Sequence, residues 1–204
     1  MNHFQEFLLQ GSILDESVSL IHDRLKGLTS TPPTVLHEHS LVFHHSLGSG
    51  QTNLHVRRSL DKNKADVPWL LRYIGQPETL SSNCPVLVRK TVDSLICADD
   101  RTLMDFFRGI GFRLEYEYVL EGHVYVKNRI KISIAKLNRV LKMGNSSATD
   151  QPHKSRLVEM SAVVAYGQEG TIVNEMKALA DQLKPYVFPF YHELFAFLVK
   201  LNFI

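Results

Sequence analysis

A chain of 204 residues with 44% hydrophobic and 22% charged side chains has the balance of a folded globular protein, which excludes a disordered or fibrous chain. Its two cysteines, Cys84 and Cys97, are too few for a disulfide framework and lack the spacing of metal ligands, so we expect plain thiols in a reducing compartment. The net charge is +2, but residues 54–143 carry 16 basic and 10 acidic side chains, an excess that suits acidic partners or a solvated face.

The N-terminal segment has no basic region before its short apolar run, and Gln5, Glu6 and Gln10 interrupt that run. We therefore expect no signal peptide. A membrane span needs about 18 or more consecutive apolar residues, and we expect none because the chain has no such run.

The first half of the chain predicts a helix among strands. Residues 4–9 form a candidate first strand, and Ser12 is a possible N-cap of the helix that follows. This helix has an apolar stripe at spacings of three and four residues, formed by Leu14, Val18, Ile21, Leu25 and Leu28. Extended segments are predicted over residues 35–47, 54–59, 69–74 and 86–96.

The second half predicts a short helix, hairpins and a last helix. Asp99 or Asp100 can cap the short helix, whose inner face is predicted to consist of Leu103, Phe106, Phe107 and Ile110. Strict alternation after Gly111 predicts hairpin strands, with turns at residues 121–122 and 127–129. A phase slip near Leu137 suggests a β-bulge. After a strand at 157–166, the last helical stripe, which Pro185 ends, consists of Ile172, Met176, Leu179 and Leu183.

This order of elements favours the α+β class, mainly β. Eight or nine strands with helices before, between and after them, and without a βαβ rhythm, predict an antiparallel, strongly bent sheet or barrel with helices on its outside. We expect one domain over residues 1–185. Residues 186–204 form an atypical apolar tail, which we interpret as an altered or partner-bound end, with a membrane-associating segment as the alternative.

One pattern suggests enzyme chemistry. Glu115 and Glu117 would share a strand face with Arg113, and cations such as Arg72 and Arg89 could join them. This resembles half of the tunnel in which triphosphate hydrolases hold a metal ion and a polyphosphate. A metal-dependent triphosphatase is thus one hypothesis, although such tunnels use two Glu-x-Glu pairs and this sequence has one. We favour a solvated face of mixed charge as the explanation of this pattern.

Histidines and a cysteine offer weaker signals. His37, His39 and His45 would lie on one strand face, and a His-x-His pair can hold zinc, but no fourth ligand is evident. Cys84 lies before Pro85 without a spaced histidine partner. We find no GxSxG, HExxH, GxGxxG or Walker motif in the sequence.

A nucleic-acid-binding barrel is the remaining alternative. Basic and aromatic residues interleave in one segment and consist of Arg57, Arg58, Lys62, Lys64, Trp69, Arg72 and Tyr73. However, Arg72 and Tyr73 must face opposite sides of a strand, and Trp69 is better placed as a core anchor.

Several longer segments resemble a known family. They are PWLLRYIGQPE (68–78), FLLQGSILDESVSLIHDRLKGL, GFRLEYEYVLEGHVYVKNRIKISIAKLNRVL and ADQLKP (180–185). In this order and spacing they are similar to subunit 18 of the Mediator complex, over roughly residues 5–185. The resemblance implies a many-stranded antiparallel β-barrel with flanking helices, similar in shape to the triphosphate-tunnel barrel but without catalytic, metal-binding or cofactor-binding residues.

The resemblance also implies a function and partners. Family members sit in the head module of Mediator, pair with subunit 20 and hold the C-terminal helix of subunit 8. They act in the nucleus as a coactivator that links gene-specific regulators to RNA polymerase II, with no small-molecule substrate, no membrane and no direct sequence-specific nucleic acid. As surface positions near a partner we predict Arg58, Arg72, Tyr73 and Gln76.

Overall fold

The structure is a computed structural model that describes residues 4–29, 31–47, 50–61, 67–79, 84–142, 144–151, 154–165 and 169–189. Its strands are β1 (Phe4–Leu14), β2 (Thr34–Leu47), β3 (Gly50–Ser59), β4 (Trp69–Ile74), β5 (Glu78–Thr79), β6 (Leu87–Ile96), β7 (Arg113–Lys127), β8 (Ile130–Val140), β9 (Thr149–Asp150), β10 (Ser155–Ala165) and β11 (Phe188–Pro189). Its helices are α1 (Val18–Leu28), α2 (Asp100–Gly109) and α3 (Glu169–Leu183), with a 3-10 turn at Asp15–Ser17.

Eight strands close into an antiparallel barrel. Around the barrel they follow the order β1, β10, β8, β7, β2, β3, β4 and β6, and β6 pairs again with β1. The short strands β5, β9 and β11 pair with β6, β8 and β1, respectively. The antiparallel barrel with flanking helices predicted from the sequence is confirmed. The closing seam between β1 and β6 is short, since only residues 5–8 pair with residues 87–90, whereas β1 pairs with β10 over its whole length.

The main hydrophobic core lies outside the barrel wall, beneath α1 and α3. Alternate residues of the strands point outward, and the helices cover them with one apolar stripe each. Ile21 and Leu25 of α1 and Met176 of α3 are fully buried there with Ile132 and Ile134 of β8. The predicted stripes of α1 and α3 are thus confirmed, except that Leu14 is 50% exposed.

A second cluster lies beneath α2 on the opposite part of the wall. Phe107 stacks on Phe43 with ring centroids 4.4 Å apart, and Asp99 caps the helix by accepting a hydrogen bond from the backbone N–H of Thr102 at 2.9 Å. The predicted cap is confirmed.

The predicted inner face of α2 is only half right. Leu103 and Phe107 are buried, but Phe106 is 54% and Ile110 is 50% exposed. A short helix that contacts the barrel along one line buries a stripe of this width and leaves its flanks outside.

Two turn predictions had different outcomes. The turn at residues 127–129 is confirmed, with Asn128 in the left-handed region at φ 54°. The turn at residues 121–122 is wrong, because β7 runs through it. Gly122 is needed there for close packing, since a Cβ would collide with the backbone oxygen of Ile134.

Two further local predictions are corrected. Ser12 is not a helix cap, because β1 continues to Leu14 before the 3-10 turn. The β-bulge is not near Leu137, where β7 and β8 pair in continuous register. The register shift lies instead between Val42 and Phe43 of β2, opposite β7.

The domain boundary at residue 185 stays a prediction, and residues 190–204 of the predicted tail lie outside the described residues. Among the helices that the structure describes, none is both long and apolar enough to cross a membrane.

Candidate functional site: the barrel lumen and the α2 groove

The barrel lumen is polar. All eight barrel strands contribute side chains to it, around a cavity of about 100 Å³. Its polar lining consists of Glu6, Gln10, Ser40, His55, Arg57, Arg72, Arg89, Tyr118, Ser133 and Glu159. Because burying a charge is costly, the charged side chains in this closed lumen must form ion pairs or hydrogen bonds inside it.

Glu6 is the centre of the charge network in the lumen. Its carboxylate, which is 4% exposed, accepts hydrogen bonds from Arg72 at 2.7 Å and from Arg89 at 2.6 Å. Arg72 also donates two hydrogen bonds of 2.7 Å to Asp93. Because Glu6 lies on β1, Arg89 on β6 and Arg72 on β4, this network ties together the strands at the short closing seam.

The network shifts the pKa values of its members. The hydrogen bond from Arg72 and the charge of that residue hold the pKa of Asp93 below its usual range, against the opposing effect of burial. Burial alone would lower the pKa of Arg72. The hydrogen bond to Asp93 and the negative charges of Glu6 and Asp93 outweigh burial, so the pKa of Arg72 is raised. Burial, followed by repulsion from Arg89 and Arg57, lowers the pKa of His55 to about 4. His55 is therefore neutral at pH 7 beside the arginines.

The half-tunnel predicted from Glu115 and Glu117 does not form in the lumen. Tyr118 faces the lumen, whereas the preceding residue Glu117 lies on the outer face and Glu115 is exposed. Glu117 is buried against Nε2 of His39 at 2.9 Å. The lumen arginines thus meet carboxylates from other strands.

The four predicted partner-contact residues do not form one patch. Arg72 is in the lumen and 15% exposed. Arg58 lies outside the barrel, where it pairs with Asp100 of α2 at 2.7 Å and lies 4.5 Å from the ring centre of Trp69. Tyr73 is 41% exposed on the outer wall, and Gln76 is exposed just beyond β4.

The arrangement of Arg72 and Tyr73 on opposite sides of β4 is the one predicted. Trp69 is 1% exposed, so its predicted role as a buried anchor is confirmed, although it packs beneath α2 instead of in the lumen. A stacking platform for nucleic acid is therefore not formed by these residues, and Lys62 and Lys64 lie outside the described residues.

The histidines and cysteines considered as site residues have different surroundings in the fold. His39 pairs with Glu117, while His45 packs against Phe112 with ring centroids 4.8 Å apart. Among the residues that the structure describes, no three His, Cys, Asp or Glu side chains lie close enough together to hold a metal ion. Cys84 is buried and Cys97 exposed, and both are free thiols.

A second cavity, of about 310 Å³, lies outside the barrel. We name it the α2 groove. Its floor is the outer face of β2, β4 and β7, with α2 on one side and Gly144 on the other, and its floor and wall residues are His39, Leu41, Trp69, Met104, Leu114 and Glu117. Glu117 also accepts a hydrogen bond from the backbone N–H of Gly144 at 2.8 Å, which fixes the far side of the groove.

Sequence reasoning named Arg72, Arg89, His39 and Glu117 as candidates but missed the roles of Glu6 and Gln10 and the pairing of His39 with Glu117. Glu6 and Gln10 are four positions apart and therefore lie on the same face of β1, a spacing that could have placed them in a polar lumen. The His39–Glu117 pair joins residues 78 positions apart and had no local signal.

Fold and lumen together define a closed antiparallel barrel of the tunnel shape, in which arginines and carboxylates pair with each other. Among solved structures, the Schizosaccharomyces pombe Mediator head module contains a chain similar to this one, with a TM-score of 0.69, 12% identity and coverage of 91% of this chain and 97% of that one. The Mimivirus capping enzyme triphosphatase is also similar, with a TM-score of 0.58, 8% identity and 90% coverage of each chain. At these identities the likeness concerns the fold alone.

Sequence comparison defines the family. The profile described as Med18 protein matches residues 5–188. A relative from Danio rerio, named Mediator of RNA polymerase II transcription subunit 18, is 40% identical over 190 residues, which cover 91% of this chain and 87% of the relative. The chain belongs to the Med18 protein family.

Proposed function

We propose that this chain is a non-enzymatic structural subunit of the Mediator head module and works as a coactivator component that links gene-specific regulators to RNA polymerase II. The observation that carries the proposal is the family match over residues 5–188, together with 40% identity to a named subunit 18. This function places the chain in the nucleus.

The lumen supports a structural role. Its lining carboxylates, Glu6 and Glu159, already accept hydrogen bonds from arginines and from Gln10. A metal-dependent triphosphatase would need carboxylates that are available to an ion and cations that are available to phosphates. The arginines here are instead used to hold strands together, so a tunnel of this shape serves as a scaffold.

The family resemblance implies two direct partners, subunit 20 as the other member of a heterodimer and the C-terminal helix of subunit 8. Partner contacts need exposed side chains with an apolar body. On the outer wall, Tyr73 of β4 neighbours Val92 of β6, which is 64% exposed. We therefore keep Tyr73 and Gln76 as proposed contacts and assign Arg72 to the lumen.

Affinity purification of the tagged, folded chain from nuclear extract tests the proposal, with the co-purified proteins identified by mass spectrometry. We expect other head-module subunits in near-stoichiometric amounts. Recovery of the folded chain without Mediator subunits would contradict the proposal. A parallel assay of manganese-stimulated phosphate release from nucleoside triphosphates should give no activity above a Glu6→Gln control.

A further inference from the structure

The lumen has more hydrogen-bond donors than the network around Glu6 uses. Arg89 donates its Nε–H to Glu6 at 2.6 Å, and its two terminal nitrogens make no hydrogen bond to any residue that the structure describes. Arg57 makes no hydrogen bond to these residues either, and its ion pair with Glu38 is long, at 4.0 Å. His55, two positions from Arg57 on the same face of β3, also lines the cavity without such a bond.

The charges around His55 make this side of the lumen positive. After burial, repulsion from Arg89, then from Arg57 and then from Arg72 lowers the pKa of His55, and each of these effects is larger than the opposing attraction of Glu6. Positive charge in a cavity with walls of low dielectric constant attracts anions. An anion near His55 would therefore meet donors and a favourable field together.

The carboxylates of the lumen are already bonded to other groups. Glu6 is shared by two arginines, and Glu159 accepts a hydrogen bond from Gln10 at 2.9 Å. Asp93 accepts two hydrogen bonds from Arg72 and does not line the cavity. Water molecules could accept hydrogen bonds from the remaining donors, but only an anion would also offset their charge.

The size of the cavity limits the ligand. At about 30 Å³ per water molecule, a cavity of about 100 Å³ has room for about three waters or one tetrahedral oxyanion. A nucleoside triphosphate is several times larger. The forked N–H groups of a guanidinium match the oxygens of a phosphate. The side chain of Arg57 is 30% exposed, so solvent reaches the lumen at this residue.

We propose that the lumen binds a small tetrahedral oxyanion of the phosphate class between Arg57, Arg89 and His55. The anion connects β3 with β6 across β4 and adds to the network that Glu6 forms at the closing seam. The lining carboxylates are already bonded, so the site holds the anion without cleaving it. This site goes beyond the proposed function and does not depend on it.

Calorimetric titration of the full-length chain with inorganic phosphate, at constant ionic strength, tests the site. We expect saturable binding in the millimolar range or tighter, and Arg57→Gln should weaken it by about 10-fold or more. Arg101→Gln removes an arginine that is 92% exposed on α2. This matched control should bind phosphate within about 2-fold of wild type. Absence of saturable binding, or equal affinity in the two variants, would overturn the site.

A second measurement needs only the wild-type chain. Sulfate keeps its charge over the range in which histidines titrate, and NMR of the imidazole gives the pKa of His55, which is about 4 without an anion. Bound sulfate offsets the repulsion from the arginines, so we expect this pKa to rise by about one unit or more. By linkage, sulfate then binds more tightly as pH falls. His22, outside the barrel against Tyr125, is the internal control. An equal His55 pKa in sulfate and in chloride of the same ionic strength would contradict the proposal.

Competition defines the class of anion. Acetate carries one charge and planar oxygens, so we expect it to displace sulfate at concentrations about 10-fold higher than phosphate does. A nucleoside triphosphate should not displace sulfate, because it exceeds the cavity. Displacement by the triphosphate at lower concentrations than by phosphate, or equal potency of acetate, would overturn the assignment to a small tetrahedral oxyanion.

Discussion

The lumen and the α2 groove lie on the two sides of the same barrel wall, and they treat buried polar groups in opposite ways. In the lumen, Glu6 satisfies Arg72 and Arg89 and thereby closes the seam between β1 and β6. In the groove, His39 and Trp69 each keep a buried nitrogen without a partner. A satisfied network contributes to the stability of the chain, whereas a buried polar atom without a partner lowers it.

The largest expected effect comes from breaking the lumen network. Glu6→Leu leaves two mostly buried arginines short of an anion, so we expect a loss of about 3–5 kcal/mol in the free energy of unfolding. Urea unfolding measures this loss. Asp23→Leu, which removes an exposed carboxylate that pairs with Lys26 at 3.2 Å, is the control and should change stability by about 0.5 kcal/mol or less. Similar losses in both variants would remove the distinction between lumen and surface charges.

The next effect is a pH dependence that originates in the lumen. The folded-state pKa of His55 is about 4, below the value of about 6.5 in an unfolded chain. The unfolded chain therefore takes up a proton first as pH falls, and stability present above pH 6.5 is lost towards pH 4, by up to about 3 kcal/mol. Unfolding free energies of wild type and His55→Gln should differ in slope across this window. Parallel profiles would show that His55 is not held neutral.

A smaller effect is expected in the wall that separates the two regions. Gly122→Ala forces a Cβ against the backbone of β8, and we expect a loss of about 1–3 kcal/mol. Gly27→Ala in α1, where a Cβ meets nothing within 4 Å, should instead stabilise the chain by about 0.5–1 kcal/mol. Thermal unfolding of the pair checks the difference in sign. A neutral Gly122→Ala would mean that β7 and β8 can move apart.

The smallest effect on stability is expected in the groove. Trp69→Phe removes indole volume but also removes a buried N–H without a partner, so the two contributions oppose each other and the net loss should be about 1 kcal/mol. Urea unfolding of wild type and variant measures this loss. A loss above about 3 kcal/mol would mean that the packing contribution of the indole outweighs the cost of its N–H without a partner.

Periodicity in the sequence was enough to predict the barrel class and the positions of α1, α2 and α3, because alternate apolar residues and helical stripes report which face is buried. It was misleading around Gly122, where a glycine that suits a turn instead permits close strand packing. It also placed Glu117 on the wrong side of the wall. Alternation shows that Glu117 and Tyr118 face opposite sides of β7, but it does not show which of the two sides is the lumen.

The candidate sites were less predictable than the fold for the same reason. Arg72 reads as a surface cation in sequence, and only barrel closure brings it to Glu6, 66 residues away. The His39–Glu117 pair likewise depends on how β2 meets β7. The sequence motifs identify the family of the chain, but they do not indicate which side of the barrel wall each side chain faces.

Hydrogen–deuterium exchange of the chain alone and within the purified Mediator assembly tests the contrast between lumen and groove most directly. The account predicts slower amide exchange in α2 and in residues 141–151 on assembly, with little change in the segment of β1 that carries Glu6, since its network is complete in the free chain. Unchanged exchange in α2, or new protection confined to β1 and β6, would contradict it.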